Sequence, residues 1–177
     1  MTATAAFVLL AGRPALDLCN TQLCEIDLLA STDDLSRWFV ESGLSDQPPP
    51  ISARSLESAR QLRAALRPAL LASDGPVVAG IAEEWFDKTP GRLCVEPDTL
   101  RPRFTPGGQT TGCLLVPAVL DALYLVRETP GRVRECAGDS CPVLYLDTSR
   151  NRSRRWCSME VCGARAKASA YYKRHRC

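Results

Sequence analysis

The chain has one histidine in 177 residues, His175, and that scarcity excludes much of the chemistry a protein of this size could host. A serine or cysteine nucleophile would have no imidazole base, and an open zinc site would have no histidine ligand set. The glycine-rich loop that cradles phosphates is also missing. The carboxylates Glu83, Glu84 and Asp87 have no nucleophile or histidine near them in the sequence, so they read as ordinary surface. The expectation is a protein that is not an enzyme. Nothing approaches the roughly 18 to 20 consecutive apolar residues of a membrane span. Met1 to Ala6 holds no basic residue, and the apolar run Phe7 to Ala11 is too short for the core of an export signal. A cytoplasmic location with no membrane partner is therefore expected.

Cysteine is the opposite case, with nine residues. In a reducing compartment structural disulfides are disfavoured, so nine cysteines read as one metal site plus buried or free thiols. Cys136, Cys141, Cys157 and Cys162 form two C-x4-C pairs separated by fifteen residues. Two close pairs on short loops deliver four thiolates to a tetrahedral Zn²⁺ at low loop-closure cost. Zinc, one ion in a structural role, is preferred because a closed four-thiolate knuckle needs no redox function; an iron or iron–sulfur centre uses the same ligands and stays open as an alternative. The other cysteines, Cys19, Cys24, Cys94, Cys113 and Cys177, read as small apolar side chains or free thiols.

Charge divides the chain. Residues 1–130 carry 11 basic and 16 acidic side chains, a balance of −5, while residues 131–177 carry 11 basic and 4 acidic, a balance of +7. Four thiolates on one dication contribute −2, which leaves the C-terminal segment near +5 and suited to a polyanion.

The patterning before residue 130 is mostly helical. Pro14 suits the first turn of a short helical or turn segment around Leu16, Asp17 and Leu18. Thr32 is placed to cap a helix with Asp33 and Asp34 in its first turn, Leu35, Trp38 and Phe39 on one face, and Gly43 as its stop. Pro48 to Pro50 break the chain. From Ser52 to Ser73, Leu56, Ala59, Leu62, Leu66, Ala69 and Leu70 recur at helical spacing, and Arg60, Arg63 and Arg67 fall on what reads as a solvated face. Val77, Ile81 and Trp85 mark another helix. A hairpin over Arg92 to Thr105, with Leu93, Val95, Leu100 and Phe104 facing a core, precedes a strongly apolar helix over Thr111 to Glu128. Its apolar residues Leu114, Leu115, Ala118, Val119, Ala122, Leu123 and Val126 cover more than one face. Thr129-Pro130-Gly131 ends that helix where the charge pattern changes, which places a domain border near residue 130.

Beyond the border, Arg132 to Glu135 reads as an extended piece leading into the knuckle Cys136 to Cys141, whose Gly138 and Asp139 favour a tight turn. Val143 to Leu146 is apolar and extended, and Asp147 is placed to bond backbone amides in the turn that follows. An arginine-rich loop, Arg150 to Arg155, leads to Trp156 and Cys157. The last helix starts near Ser158 or Val161, with the second cysteine pair at its N-terminal turn. The fold class is α+β: a mainly helical N-terminal domain, residues 1–130, with a small β-hairpin, then a treble-clef-like zinc module, residues 131–177, of knuckle, short hairpin and helix.

Residues 136 to 176, above all Asp147 to Gly163 (DTSRNRSRRWCSMEVCG), resemble the CGNR zinc finger. Gly12 to Thr21 (GRPALDLCNT), with Asp34 to Trp38 and Gly43-Leu44, is similar to the ABATE domain, which accompanies that finger in proteins described as stress-induced transcription regulators. The two resemblances cover most of the chain. They imply zinc on the same four cysteines and a DNA-binding role for the finger. One departure stands out: the motif Cys-Gly-Asn-Arg reads Cys162-Gly163-Ala164-Arg165, so any hydrogen bond from that asparagine, to the zinc loop or to a base, is missing.

The first functional reading is a zinc-binding regulator that holds nucleic acid, double-stranded DNA foremost, and whose N-terminal domain senses a ligand or partner not identified by the sequence. The candidate contacts are Arg150, Arg152, Arg154, Arg155, Arg165, Lys167, Lys173, Arg174 and Arg176. RNA or single strands, on which Trp156, Tyr171 and Tyr172 could stack, are the first alternative. A protein-interaction adaptor with a purely structural zinc is the second. A homodimer would suit a regulator, although no heptad is readable.

Overall fold

The computed structural model describes residues 6–9, 12–99, 102–108 and 110–175. Element order is α1 (Pro14–Cys19), β1 (Gln22–Leu23), β2 (Ile26–Asp27), α2 (Thr32–Glu41), α3 (Ala53–Ala72), α4 (Gly75–Lys88), β3 (Gly91–Val95), β4 (Pro102–Pro106), α5 (Thr111–Glu128), β5 (Val133–Glu135), β6 (Leu144–Leu146) and α6 (Ala164–His175), the last preceded by a π-helical turn, Met159–Gly163. The strands form three separate antiparallel hairpins, β1–β2, β3–β4 and β5–β6. This is the expected α+β arrangement of a helical body with small hairpins followed by a cysteine-rich module.

The body is organised around α1, which packs on α3 and α5 while α4 lies along both of these. Six residues are too few for a helix to persist by itself, so α1 depends on its surroundings. Pro14 presets its first turn, and Ala15, Leu16, Leu18 and Cys19 are all buried. The Asp121 carboxylate of α5 accepts the Ala15 amide at 3.1 Å and pairs with Arg13 at 2.7 Å, which fixes where α1 begins. Burial raises the Asp121 carboxyl above its ordinary range, and Arg13 opposes that shift.

Several expectations shift by a residue or a face. The cap of α2 is Ser31 rather than Thr32: its hydroxyl takes the Asp34 amide and the Asp34 carboxylate takes the Ser31 amide, a reciprocal box that Thr32 cannot form one position later. The buried stripe of α4 runs through Val78 and Ala82, and Val77 is exposed. In the β3–β4 hairpin Leu93 and Val95 are 51% and 61% exposed, because this ribbon lies off the core; Phe104, stacked on Phe86 at 5.9 Å, is its anchor. Gly91 has no Cβ where the Phe104 ring crosses the strand. Leu100 lies outside the described residues.

The largest revision concerns the arginines of α3. Arg63 is 6% exposed; its guanidinium pairs with Asp27 at 2.5 Å and donates to Thr21 Oγ1 and Gln22 Oε1. Arg60 donates to the Leu29 and Ala30 carbonyls. Arg67 reaches Glu135 at 2.9 Å and the Pro142 carbonyl at 2.5 Å. These side chains lie just off the apolar stripe, where a guanidinium reaches over the helix edge to the β1–β2 hairpin and its flanks and to the β5–β6 hairpin.

That hairpin lies beyond residue 130, yet Val133 and Leu144 belong to the core of the helical body. Alternation along the strand puts Leu144 and Leu146 on the body and Val143 and Tyr145 on the cysteine cluster. The segment 6–9 divides the same way, with Phe7 and Leu9 against the body and Val8 against the cluster. Asn20, 1% exposed, closes the free edge of β6: its Nδ2 donates to the Leu144 carbonyl at 3.0 Å and its Oδ1 accepts the Leu144 amide at 2.7 Å. One side-chain amide thus does the work of a neighbouring strand.

Replacing Asn20 with alanine leaves both Leu144 groups buried and unpaired, so we expect a loss of roughly 3 kcal/mol. Urea unfolding of the two proteins measures it; unchanged stability would show that the clamp is dispensable.

Candidate metal centre and cationic surface

The first cysteine pair sits on the tight loop between β5 and β6. The Cys141 amide donates to the Gly138 carbonyl at 3.0 Å, and Ser140 takes a left-handed backbone, φ 59°. Gly138 is needed for its size: a Cβ there would stand 3.2 Å from Cys162 Sγ and 3.4 Å from Cys141 Cβ. The second pair lies on the loop after β6 and on the π-helical turn, where the Ser158 hydroxyl caps by accepting the Val161 amide. The Ala137 amide donates to the Arg155 carbonyl, which ties the two loops together.

The four sulfurs lie within 4.8 Å of one another. Cys141 and Cys157 are 3.8 Å apart and Cys157 and Cys162 are 3.7 Å apart. Four thiolates at about 2.3 Å from one ion have tetrahedral edges of about 3.8 Å, so the spacing fits Zn²⁺ and is far too long for a disulfide. Cys136 Sγ also accepts two amides, from Gly138 at 3.4 Å and Cys157 at 3.2 Å, the kind of outer-shell bond that orients a ligand. Burial acts to raise the Cys136 thiol, but these amides and its sulfur neighbours together bring it below its ordinary range. Burial, reinforced by the neighbouring sulfurs, pushes Cys141 up to about 11 and Cys157 higher still. Four sulfurs this close cannot all carry charge without a cation, so losing the ion means protonation or unfolding. Four thiolates also fill the tetrahedron, which makes this a closed, structural site.

A small ring of side chains supports the centre. The Tyr145 hydroxyl donates to the Arg154 carbonyl at 2.6 Å, and the Arg154 guanidinium lies 4.7 Å over the Tyr145 ring. That guanidinium donates to the carbonyls of Trp156 and Cys157. Asp147 is fully buried, and its Oδ1 accepts the amide and the hydroxyl of Ser149, the turn expected from the sequence. The Ser149 hydroxyl, against the opposing effect of burial and with Arg134 nearby, holds the Asp147 carboxyl below its ordinary range. Trp156 is half-buried against the cluster.

The sequence-derived cations fall into two groups. Arg154 faces inward and braces the zinc loop, so its charge is committed to the fold. Arg150, Arg152, Arg155, Arg165, Lys167, Lys173 and Arg174 are exposed, and among the described residues none of them forms an ion pair. Arg155 lies 5.3 Å over the Trp156 ring. Arg176 is outside the described residues. No residue of α6 is buried, and Tyr171 and Tyr172 are exposed on it. Ala164, which stands where the motif has asparagine, is exposed at the start of α6, so the missing amide leaves no gap in the zinc loop. Asn20 was given no role by the sequence reading, and Arg67 was assigned to a solvated face although it reaches Glu135 and the Pro142 carbonyl. Asn20 stood inside the quoted motif, where a polar amide ending an apolar segment was the available signal.

Replacing Cys157 with serine should abolish zinc binding and unfold the module, since structural zinc contributes on the order of 10 kcal/mol in small zinc folds. Metal analysis and limited proteolysis read this out. A module that stays protease-resistant without metal would contradict it.

Comparison with known proteins agrees with this geometry. Residues 132–175 match the CGNR zinc finger model, which contains all four cysteines. Residues 12–129 match the ABATE model, described as "Putative stress-induced transcription regulator". No curated protein matches the chain. Among the described residues, no helix is long and apolar enough to cross a membrane. With one zinc held by Cys136, Cys141, Cys157 and Cys162 at the end of a matched helical body, the chain belongs to the ABATE family and carries a CGNR zinc finger.

Proposed function

We propose that the protein is a nucleic-acid-binding regulator, not an enzyme, that holds duplex DNA with the outer surface of its zinc module while the helical body takes a ligand or partner. The observation that carries this reading is α6: it leaves the zinc centre with no residue buried and presents Arg165, Lys167, Lys173 and Arg174 to solvent. A twelve-residue helix with no fully buried residue is marginal in water, and a polyanion along its cationic surface would stabilise it. Arg150, Arg152 and Arg155 of the preceding loop extend the same unpaired charge. The transcription-regulator description of the matched family supports the same reading.

A second reading has one observation in its favour. Tyr172 is 69% exposed, and Tyr171 stacks on His175 at 4.2 Å, so α6 offers aromatic groups as well as charge. Unpaired bases would use both.

Titration of the zinc-loaded chain against duplex DNA, single-stranded DNA and RNA over a salt series separates these readings. With about six phosphate contacts on duplex DNA, log affinity falls against log salt with a slope near −5. Replacing Arg155, Arg165 and Lys173 by alanine makes that slope shallower by about three. Arg154→Ala instead reduces stability, because its guanidinium braces the loop. Preferential binding of single strands, lost in Tyr172→Ala, favours the second reading. No binding at low salt would leave a protein-interaction adaptor.

A further inference from the structure

The β3–β4 hairpin has one edge that the fold leaves open. The Gly107 amide donates to the Pro90 carbonyl at 2.9 Å, which makes these two residues a hydrogen-bonded pair of the ladder. The register continues through Gly91↔Pro106, Arg92↔Thr105, Leu93↔Phe104, Cys94↔Arg103 and Val95↔Pro102. Antiparallel pairs alternate, so the backbone groups of Arg92 and Cys94 turn in toward β4, while the amides and carbonyls of Gly91, Leu93 and Val95 turn outward. On β4 the outward positions fall on Pro102, Phe104 and Pro106, and the two prolines have no amide to offer.

An unpaired row of amides and carbonyls is a template for another strand, and folded proteins usually close it. Here proline closes the edge of β4, and Asn20 closes that of β6. β3 has neither device. Its sheet contains only two strands, and among the described residues no group bonds the outward amides or carbonyls of Gly91, Leu93 and Val95. The Leu93 and Val95 side chains share one face of the strand and are exposed. By the same alternation Arg92, Cys94 and Glu96, the residue that follows the strand, fall on the other face. Arg92 is exposed, and among the described residues neither it nor Glu96 forms an ion pair. The Glu96 carboxylate accepts the Thr99 hydroxyl at 2.8 Å, within its own turn.

This edge is complementary to itself. We propose that β3 pairs with β3 of a second copy of the chain, antiparallel and two-fold symmetric, so that the two hairpins join into one sheet. With the axis at Cys94, Leu93 lies opposite Val95 of the partner subunit, and these residues exchange their outward amide and carbonyl bonds while their exposed side chains cover one another. On the other face Arg92 lies opposite Glu96 of the partner subunit, and symmetry forms that ion pair twice. Charge selects this register. Shifting one strand by two residues brings Cys94 opposite Arg92 or Glu96 instead, and shifting it by one sets outward backbone groups against inward ones. An edge of five residues is small for a protein interface, so the dimer is weak and depends on concentration. The inference concerns a surface of the helical domain and does not rest on nucleic-acid binding.

Sedimentation velocity of the zinc-loaded full chain, from low micromolar to near millimolar concentration and without nucleic acid, tests it. A reversible monomer–dimer equilibrium is expected. Arg92→Glu and Glu96→Arg should each weaken the dimer by about tenfold, because each replaces two attractive pairs with two repulsive ones. The double variant should recover the original affinity, and an equimolar mixture of the two single variants should form a mixed dimer tighter than either alone. Leu93→Pro removes an outward amide while sparing the bonds to β4, as Pro102 and Pro106 do on the other edge, and should abolish dimerisation with zinc content and helical circular dichroism unchanged. A monomer at every concentration, a dimer that survives Leu93→Pro, or charge reversals that the double variant does not rescue would overturn the proposal.

Discussion

The structure depends on one short strand that belongs to two cores. β6 and its approach alternate side chains, as any strand must, and here both faces are buried: Leu144 and Leu146 in the helical body, Val143 and Tyr145 against the zinc ligands. A shift of one residue would exchange the two sets and place Tyr145 in the body. Asn20 fixes the register by pairing with both backbone groups of Leu144. The alternation of Phe7, Val8 and Leu9 repeats the arrangement on the N-terminal side. Two segments recognised as separate families therefore share packing.

The same residue type serves opposite ends in this protein. Arg63, Arg67, Arg132 and Arg154 donate to carboxylates and carbonyls inside the fold: Arg132 alone holds the carbonyls of Asp147 and Ser149. Among the described residues, Arg150, Arg152, Arg155, Arg165 and Arg174 have no such partners and set the character of the outer surface. The net charge of the C-terminal segment thus overstates what is free to meet a partner, and the side-chain contacts show which cations are left.

Much of this was legible in advance because it rests on local rules. The α5 limits follow from an apolar run closed by Thr129-Pro130-Gly131, and the metal centre follows from cysteine spacing that few other roles explain. The capping residue of α2 was displaced by one because both Ser31 and Thr32 are good caps and only the reciprocal partner, Asp34, separates them. The roles of Arg63, Arg67 and Asn20 were not legible. Each depends on a partner far away in sequence, such as Leu144 for Asn20, and periodicity carries no information about such pairs. The exposed faces of Leu93 and Val95 show the same limit: alternation marks a hairpin, but not whether a core lies beneath it.

The central claim is that zinc module and helical body form one cooperative structure through β6. Urea unfolding of the zinc-loaded chain, followed simultaneously by helical circular dichroism and by capture of released zinc with a chromogenic chelator, tests it most directly. Shared packing predicts coincident transitions, because the helices of the body and the thiolate cluster lose β6 together. Zinc released at clearly lower urea, with the helical signal intact and its later transition unmoved by the loss of metal, would contradict it.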